Sequence, residues 1–515
     1  MGGSVKNRDQ LPSNWVRTNI AALARIEMGQ SPDSVYYNDE RNGLPFFQGK
    51  TEFGLRYPVI RKWCSQPKKV AEAGDILLSI RAPVGPSNIA QERSAIGRGL
   101  AAIGAETSIG QQYLFYFFRH IEPWLSSKGT GSTFAAISGD FLRAIEVPVA
   151  PAAEQTRIVE KLEELLSDLD AGVAELKAAQ KKLAQYRQSL LKSAVEGALT
   201  DEWREGQAAM PAESGAALLA RILTERRSRW ETRQRAKFQA QSKAPPKDWQ
   251  AKYPAPVAPD INGLPELPLG WVWASLDQVL CELRSGTAAT SGRDETGYPL
   301  LKSSAVRQGR INFDALNYLQ EDQSTRQENY LAIGDVLITR LSGSVEYVGC
   351  CAVVNELPTP GIQYPDRVFC GKLAPSLMWL ADFLVCCFQS SYVRKRVESA
   401  AKSSAGHKRI SLSDLHPMPI PLPPSAEIAL ILGQVDEAFQ RIQGGERDVG
   451  VALKQSAAQR KNILQAAFSG QLVPQDPAEE PARLLLARIR AERQERASLG
   501  KTKKANSYLR RSSPC

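Results

Sequence analysis

The stretch from Gly43 to Thr51 comes nearest to a recognisable chemical device in this chain, because it ends Gly49-Lys50-Thr51 as a phosphate-binding loop does. Five residues rather than four separate Gly43 from Gly49, and Pro45, Phe46 and Phe47 stand where such a loop needs exposed backbone N–H groups, so that reading fails. Asp75 and Asp335 are single acids ahead of apolar runs, turn residues rather than the clustered carboxylates and lysine wanted in a nuclease. Two Pro-Pro pairs occur, in Ala244-Pro245-Pro246-Lys247 and Leu422-Pro423-Pro424-Ser425. Neither fits the Asn/Asp-Pro-Pro-aromatic loop that holds a flipped base for methylation. His120, His407 and His416 lie far apart, with no metal-ligand spacing. The eight cysteines include the adjacent pairs Cys350-Cys351 and Cys386-Cys387 and no Cys-x-x-Cys. That usage reads as buried reduced thiols, not a disulfide frame or zinc site. No Ser/His/Asp or Cys/His grouping stands out, and together these absences favour a binder with no catalytic or metal site.

At 515 residues the chain exceeds one hydrophobic core and predicts roughly three to four folding units. Its 43% hydrophobic content is that of an ordered globular protein. A net charge of +10 and a pI near 9.1 favour a polyanionic partner. Met1 to Gln10 are polar, so no signal peptide is expected. The most apolar stretch, Leu377 to Phe388, is interrupted by Asp382 and is too short to span a bilayer.

Positioning residues for binding falls to a plan that is written twice. Leu11-Pro12-Ser13-Asn14-Trp15-Val16 returns as Leu267-Pro268-Leu269-Gly270-Trp271-Val272, and Ala73-Gly74-Asp75-Ile76-Leu77-Leu78 as Ile333-Gly334-Asp335-Val336-Leu337-Ile338. Val147-Pro148-Val149 returns as Ile420-Pro421-Leu422, Ala153-Glu154-Gln155 as Ala426-Glu427-Ile428, and Leu218-Leu219-Ala220-Arg221-Ile222 as Leu485-Leu486-Ala487-Arg488-Ile489. Each copy reads as a globular unit of short strands and turns with some helix, an α+β fold, followed by a long helix. The predicted divisions are a first globular domain over 11–150, a long helix over 151–200 and a basic helix with Pro-rich linker over 201–266. A second domain follows over 267–424, a second long helix over 425–472, and a C-terminal helix with a basic tail over 473–515.

The long helices show alternating four- and three-residue apolar steps. The first seam runs Ile158, Leu162, Leu165, Leu169, Gly172, Leu176, Ala179, Leu183, Tyr186, Leu190. The second runs Ile431, Val435, Ala438, Ile442, Gly445, Val449 and on to Ile463, with smaller side chains towards its end. Two matching seams in one chain predict an intramolecular antiparallel coiled coil. Roughly 40 residues at about 1.5 Å each make a rod of about 60 Å. Between the copies, Arg221 to Lys252 carry ten basic and three acidic residues, and seven prolines from Pro245 to Pro268 predict an extended, semi-rigid spacer. Solvated charge or phosphate contact both fit the basic run.

These segments resemble the specificity subunits of type I restriction-modification systems over nearly the whole chain. The matching words include Gly74-Asp75-Ile76-Leu77 with Arg81-Ala82-Pro83-Val84-Gly85, then Ile96-Gly97-Arg98-Gly99-Leu100-Ala101 and Lys128-Gly129-Thr130-Gly131-Ser132. In the second half they include Thr339-Arg340-Leu341-Ser342-Gly343-Ser344 and Ser403-Ser404-Ala405-Gly406-His407-Lys408. The second long helix departs from the family's Glu-Gln pair by carrying Ile428.

The resemblance implies two target recognition domains held apart in inverted orientation by the helices, and a split, asymmetric DNA site. It also implies two methyltransferase subunits and translocating restriction subunits as partners, in a bacterial or archaeal cytoplasm. S-adenosylmethionine, ATP and Mg²⁺ would be bound by those partners and not by this chain. Chemistry then nominates contacts, with Arg and Lys for guanine edges and phosphates and amides and hydroxyls for other base edges. In the first domain these are Gln48, Lys50, Arg81, Lys128, Thr130 and Ser132. In the second they are Lys302, Arg307, Arg310, Arg340, Ser342, Ser344, Lys402, His407 and Lys408. Two other classes stay open on sequence alone. An autonomous methyltransferase or nuclease would modify DNA unaided, and a coiled-coil assembly protein would bind without regard to base sequence.

Overall fold

The computed structural model describes residues 11–106, 109–129, 136–207, 213–288, 291–292, 297–319, 329–404 and 406–509. The chain divides into two units, Met1–Lys177 with Val449–Cys515, and Ala178–Asp448.

In the first unit, Gly74 at φ +87° supplies a turn that Asp75 closes by accepting the Glu72 N–H at 2.9 Å, with Arg25 paired to the same carboxylate at 2.5 Å. Strand Ile76–Ser79 leaves that turn with all four residues buried, which is why Ile76, Leu77 and Leu78 read as a continuous apolar run. It is flanked by antiparallel Leu100–Ala105 and Ser87–Ile89, and Ala24–Met28 completes the four-stranded sheet. Five further short strands form a second sheet, in which Leu44–Phe47 and Ser94–Ile96 run parallel. Val16–Asn19 pairs with Glu146–Val149, and helix Gln111–Lys128 lays Tyr113, Leu114, Phe117 and Phe118 on the core. The same core takes Ile158, Leu162 and Leu166 from the first long helix, Leu464 and Phe468 from the second, and Leu485 and Ile489 from the C-terminal helix.

The second unit has a four-stranded sheet of the order Glu282–Ser285, Val368–Lys372, Val336–Thr339, Cys351–Val353. Gly334 at φ +88° precedes its Asp335, which accepts the Ala332 N–H at 2.9 Å and pairs with Lys372 at 3.0 Å. Asp75 and Asp335 are thus turn-closing acids. Val272–Ser275 pairs with Pro419–Leu422. Leu377 to Phe388 spans a 3₁₀ turn and helix Ala381–Gln389 in the core, which also takes Leu191, Val195, Leu218, Ile222, Ile428 and Ile431. Among the described residues no single helix is long and apolar enough to cross a membrane. Cys64, Cys350, Cys351, Cys370, Cys386 and Cys387 are buried free thiols, and burial pushes Cys351 and Cys387 well above the ordinary thiol pKa.

The long helices are Ala152–Glu196 and Ser425–Phe468, the first stopping at Gly197 with φ +84°. Within the first unit Asp170 pairs with Arg460. Within the second, Leu190 clusters with Ala438 and Ile442, and Arg187 reaches Glu446 at 3.5 Å and lies over Phe439. Ile158, Leu162, Leu190, Ile431, Val435 and Ile442 are buried, and Leu165, Leu169, Leu176, Leu183, Val449 and Ile463 half-buried. Tyr186 departs from the expected seam, being 54% exposed, and Leu166 and Leu464 are more buried than their seam neighbours Leu165 and Ile463. A straight helix has 3.6 residues per turn, so a 3.5-residue stripe drifts around it, and near the globular parts the buried face widens.

The Pro-rich segment is not a free spacer. Helix Gly215–Ala240 precedes it, Trp249 stacks on Trp230 at 5.8 Å, and the Val257 and Asp260 N–H groups donate to Asp277 and to the Pro417 carbonyl. Proline count predicted stiffness; aromatic stacking and these bonds decided that the segment lies on the second unit.

Candidate nucleic-acid interface

In the first unit, the parallel pairing of Phe46 with Ala95 and Phe47 with Ile96 makes the two strands end together. Gln48 and Arg98 therefore emerge side by side, and the Gly97 N–H donates to the Phe47 carbonyl at 2.8 Å. The central strand arrives at the same place, since the Ile80 N–H donates to Gly99, and Ser79 Oγ donates to the carbonyls of Arg81 and Pro83. Lys50 sits in a 3₁₀ turn that Glu52 caps by accepting the Gly49 N–H at 3.1 Å.

These elements enclose a cleft of about 560 Å³ lined by Gln48, Lys50, Thr51, Arg81 and Arg98, with glycines, Ser79, Ala82 and Pro83 completing the wall. Three exposed cations share it, and there is no carboxylate among its described lining residues. Cations, guanidinium forks and an amide grouped in this way suit phosphate oxygens and base edges chemically. Sequence chemistry nominated Gln48, Lys50 and Arg81 and missed Arg98 and Thr51. Arg98 stood inside a word already noted, Ile96-Gly97-Arg98-Gly99, but its partner strand is remote in sequence. Lys128 is exposed at the end of its helix and does not line this cleft, and Thr130 and Ser132 lie outside the described residues.

In the second unit, the corresponding end of strand Val336–Thr339 leads into a three-stranded sheet of Leu341–Ser342, His407–Arg409 and Lys402–Ser404. Ser342 is opposite Lys408, and Lys402 is opposite Arg409. Directly opposed residues share a face, so one face carries Lys402 with Arg409 and the other Ser342 with Lys408. His407 and Arg409 are exposed, and Ser344 is exposed just beyond. Arg409 is the contact candidate that sequence reading missed.

The remaining nominees are placed elsewhere. Arg340 directs its guanidinium to the Asp366 carbonyl at 3.2 Å and lies over Phe369 at 5.6 Å, unlike exposed Arg81. Arg307, stacked on Tyr347 at 4.6 Å, and Arg310 line a separate cleft of about 1160 Å³. There Glu346, Asp382, Asp436 and Glu446 outnumber Arg187, Arg307 and Arg310. Lys302 is half-buried and lines neither that cleft nor the three-stranded sheet.

Each unit also holds a buried tryptophan–carboxylate pair. Trp15 Nε1 donates to Glu154 at 2.9 Å, and Trp271 Nε1 to Glu427 at 2.8 Å. Burial pushes the Glu154 carboxyl up, opposed by the hydrogen bonds from Trp15 and Gln475. Thr200 and Arg204 also donate to Glu427. Where the family's Gln would stand, Ile428 is buried in the core, whereas Gln155 accepts from Gly110 at 3.1 Å and donates to Ala150 at 2.9 Å.

Residues 12–178 match the family model of the type I restriction modification DNA specificity domain. The chain is 28% identical over 377 residues to the type I restriction enzyme EcoKI specificity subunit of Escherichia coli K12, covering 72% of this chain and 68% of that one. It is 24% identical over 498 residues to the EcoDI specificity subunit of Escherichia coli, covering 94% and 96%. Among solved structures, the HsdS subunit from Thermoanaerobacter tengcongensis matches 32% of this chain and 40% of its own at 43% identity, with a TM-score of 0.30.

Proposed function

This chain belongs to the DNA-specificity subunits of type I restriction-modification systems, and from that premise we propose that each of its units reads one half of a split, asymmetric DNA site. The observation that carries the reading is the cleft of the first unit, where Lys50, Arg81 and Arg98 meet Gln48 with no described carboxylate among the lining residues. Cations there fix the register on phosphates, and the forks and amide discriminate base edges. The face of the three-stranded sheet that carries Lys402, His407 and Arg409 takes the same part in the second unit, with recognition domains over 11–150 and 267–424. Recurrence of the turn, the central strand, the ladder and the Trp–Glu pair in both units supports an ancestral duplication. Two related but unequal readers in one chain give an asymmetric site.

The two long helices act as an antiparallel spacer that sets the distance between half-sites, as dimer geometry does for symmetric readers. Opposed numbering within each unit, Asp170 with Arg460 and Leu190 with Ile442, supports that role. The chain supplies specificity rather than catalysis. Methyltransferase and restriction subunits assemble on it and bring S-adenosylmethionine, ATP and Mg²⁺, and the complex works on DNA in the cytoplasm.

Modified-base sequencing tests the proposal, comparing DNA from cells expressing this chain with its neighbouring methyltransferase against cells expressing the methyltransferase alone. A split motif methylated only when this chain is present is the expected result. Methylation by the chain unaided, or no motif despite a stable complex, would overturn it.

A further inference from the structure

The basic run between the two copies gathers, in the second unit, into a site of its own. Arg229, Arg233 and Lys237 follow one another at steps of four along helix Gly215–Ala240, about 6 Å apart along the axis and on one face. That face lines a cleft of about 770 Å³, whose other wall is the four-stranded sheet with Arg284 and Lys372. Glu282 pairs there with Arg233 at 2.7 Å and Arg284 at 3.3 Å, and Asp335 with Lys372 at 3.0 Å. Five cations against two carboxylates leave three positive charges in excess among the described lining residues.

The helix is held firmly enough to display them. Buried Arg226 donates to the Leu280 carbonyl at 3.0 Å and pairs with Asp277 at 3.2 Å, and Trp230 stacks on Trp249. A row of cations suits a linear polyanion better than one compact anion. The cleft lies at the Gly334-Asp335 end of strand Val336–Thr339 and the Ser342 sheet beyond its Thr339 end, about 13 Å of strand apart. It is therefore a surface separate from the base-contact sheet.

We propose that this cleft binds the phosphate backbone of double-stranded DNA outside the segment whose bases are read. The inference rests on the DNA-specificity reading above. It adds a contact that contributes affinity without regard to sequence.

The test uses the full chain assembled with its partner subunits and two duplexes, one trimmed to the methylated motif and one extending well beyond it. Binding is measured across a salt series for the wild type, for R229Q/R233Q/K237Q, and for the charge-preserving R229K/R233K/K237R. On the long duplex the glutamine variant should lower the slope of log K against log salt by about 2.7, the value for three lost phosphate contacts. The charge-preserving variant should keep the wild-type slope, and neither variant should alter the trimmed duplex or the methylated motif. An unchanged slope on the long duplex overturns the proposal. An equal fall on both duplexes overturns it too, since the cleft would then touch the read segment. Loss of a partner subunit with the slope intact assigns the cleft to an acidic protein surface and also overturns it. A wild-type chain that directs no motif defeats the specificity reading instead.

Discussion

Arg81 and Arg340 follow equivalent strands at the same step, yet their guanidinium groups meet different surroundings. Arg81 is exposed in a cleft with Lys50 and Arg98, and Arg340 is tied to Asp366 and Ser285. Replacing Arg81 or Arg98 by Ala should cost about 1–3 kcal/mol of binding at the first half-site, seen as relaxed or lost methylation there with the second half of the motif intact. Arg340→Ala should instead lower stability by about 1 kcal/mol in denaturant unfolding and leave the motif unchanged. Glu427→Ala would leave Arg204 and Trp271 without their buried acceptor, and a loss of about 3–5 kcal/mol is expected in the same measurement. His120 stacks on Phe468, and burial, with Lys461 nearby, holds its pKa below the ordinary imidazole value. The unfolded chain then takes up the proton first. The stability from neutral His120 is whole above about pH 6.5 and is lost as pH falls through the depressed folded value. Melting temperature should therefore fall on acidification, and less steeply in His120→Gln.

At the scale of elements, legibility followed the reach of the signal. The long helices were readable because a seam repeated over many turns outweighs local noise, and Ile76–Ser79 because burial on both faces makes Ile76, Leu77 and Leu78 an apolar run. Tyr37–Asn38, Trp63–Cys64 and Val70–Ala71 were not, since strands of two residues carry no periodicity. The Gly-Asp turns belong to the readable class. Gly74 and Gly334 both sit at positive φ, so alanine at either should destabilise by about 1 kcal/mol or more. At Gly334 the added Cβ would also meet Met378, whereas nothing lies within 4 Å at Gly74. Chemical denaturation should accordingly rank Gly334→Ala as the more damaging. Helix Gly215–Ala240 was legible as a basic helix, but its pattern did not name the core of the second unit as the place where Leu218 and Ile222 are buried.

Over the whole molecule, the trailing segments exchange roles with their copies. Leu218 and Ile222, which follow the first long helix, lie in the core of the second unit, and Leu485 and Ile489, which follow the second, lie in the core of the first. The same backbone bond recurs in each, Ala482 N–H to Asn14 and Gly215 N–H to Gly270, and an added Cβ at Gly215 would stand 2.2 Å from the Leu422 carbonyl. Exchanging residues 11–150 for another family member's domain should change one half of the methylated motif alone, and a heptad added to both long helices should change only the spacer. Modified-base sequencing reads both, and alteration of both halves by the first exchange would sink the modular reading. The amino-acid sequence by itself determined the long helices and the strand-opening Gly-Asp turns, because each is written in local spacing. Tertiary structure alone decided that Arg98 stands beside Gln48, that Trp15 and Trp271 bond to carboxylates on the long helices, and that each long helix divides its length between two units. Those are pairings between residues distant in the chain, and nothing in the local pattern of either partner names the other.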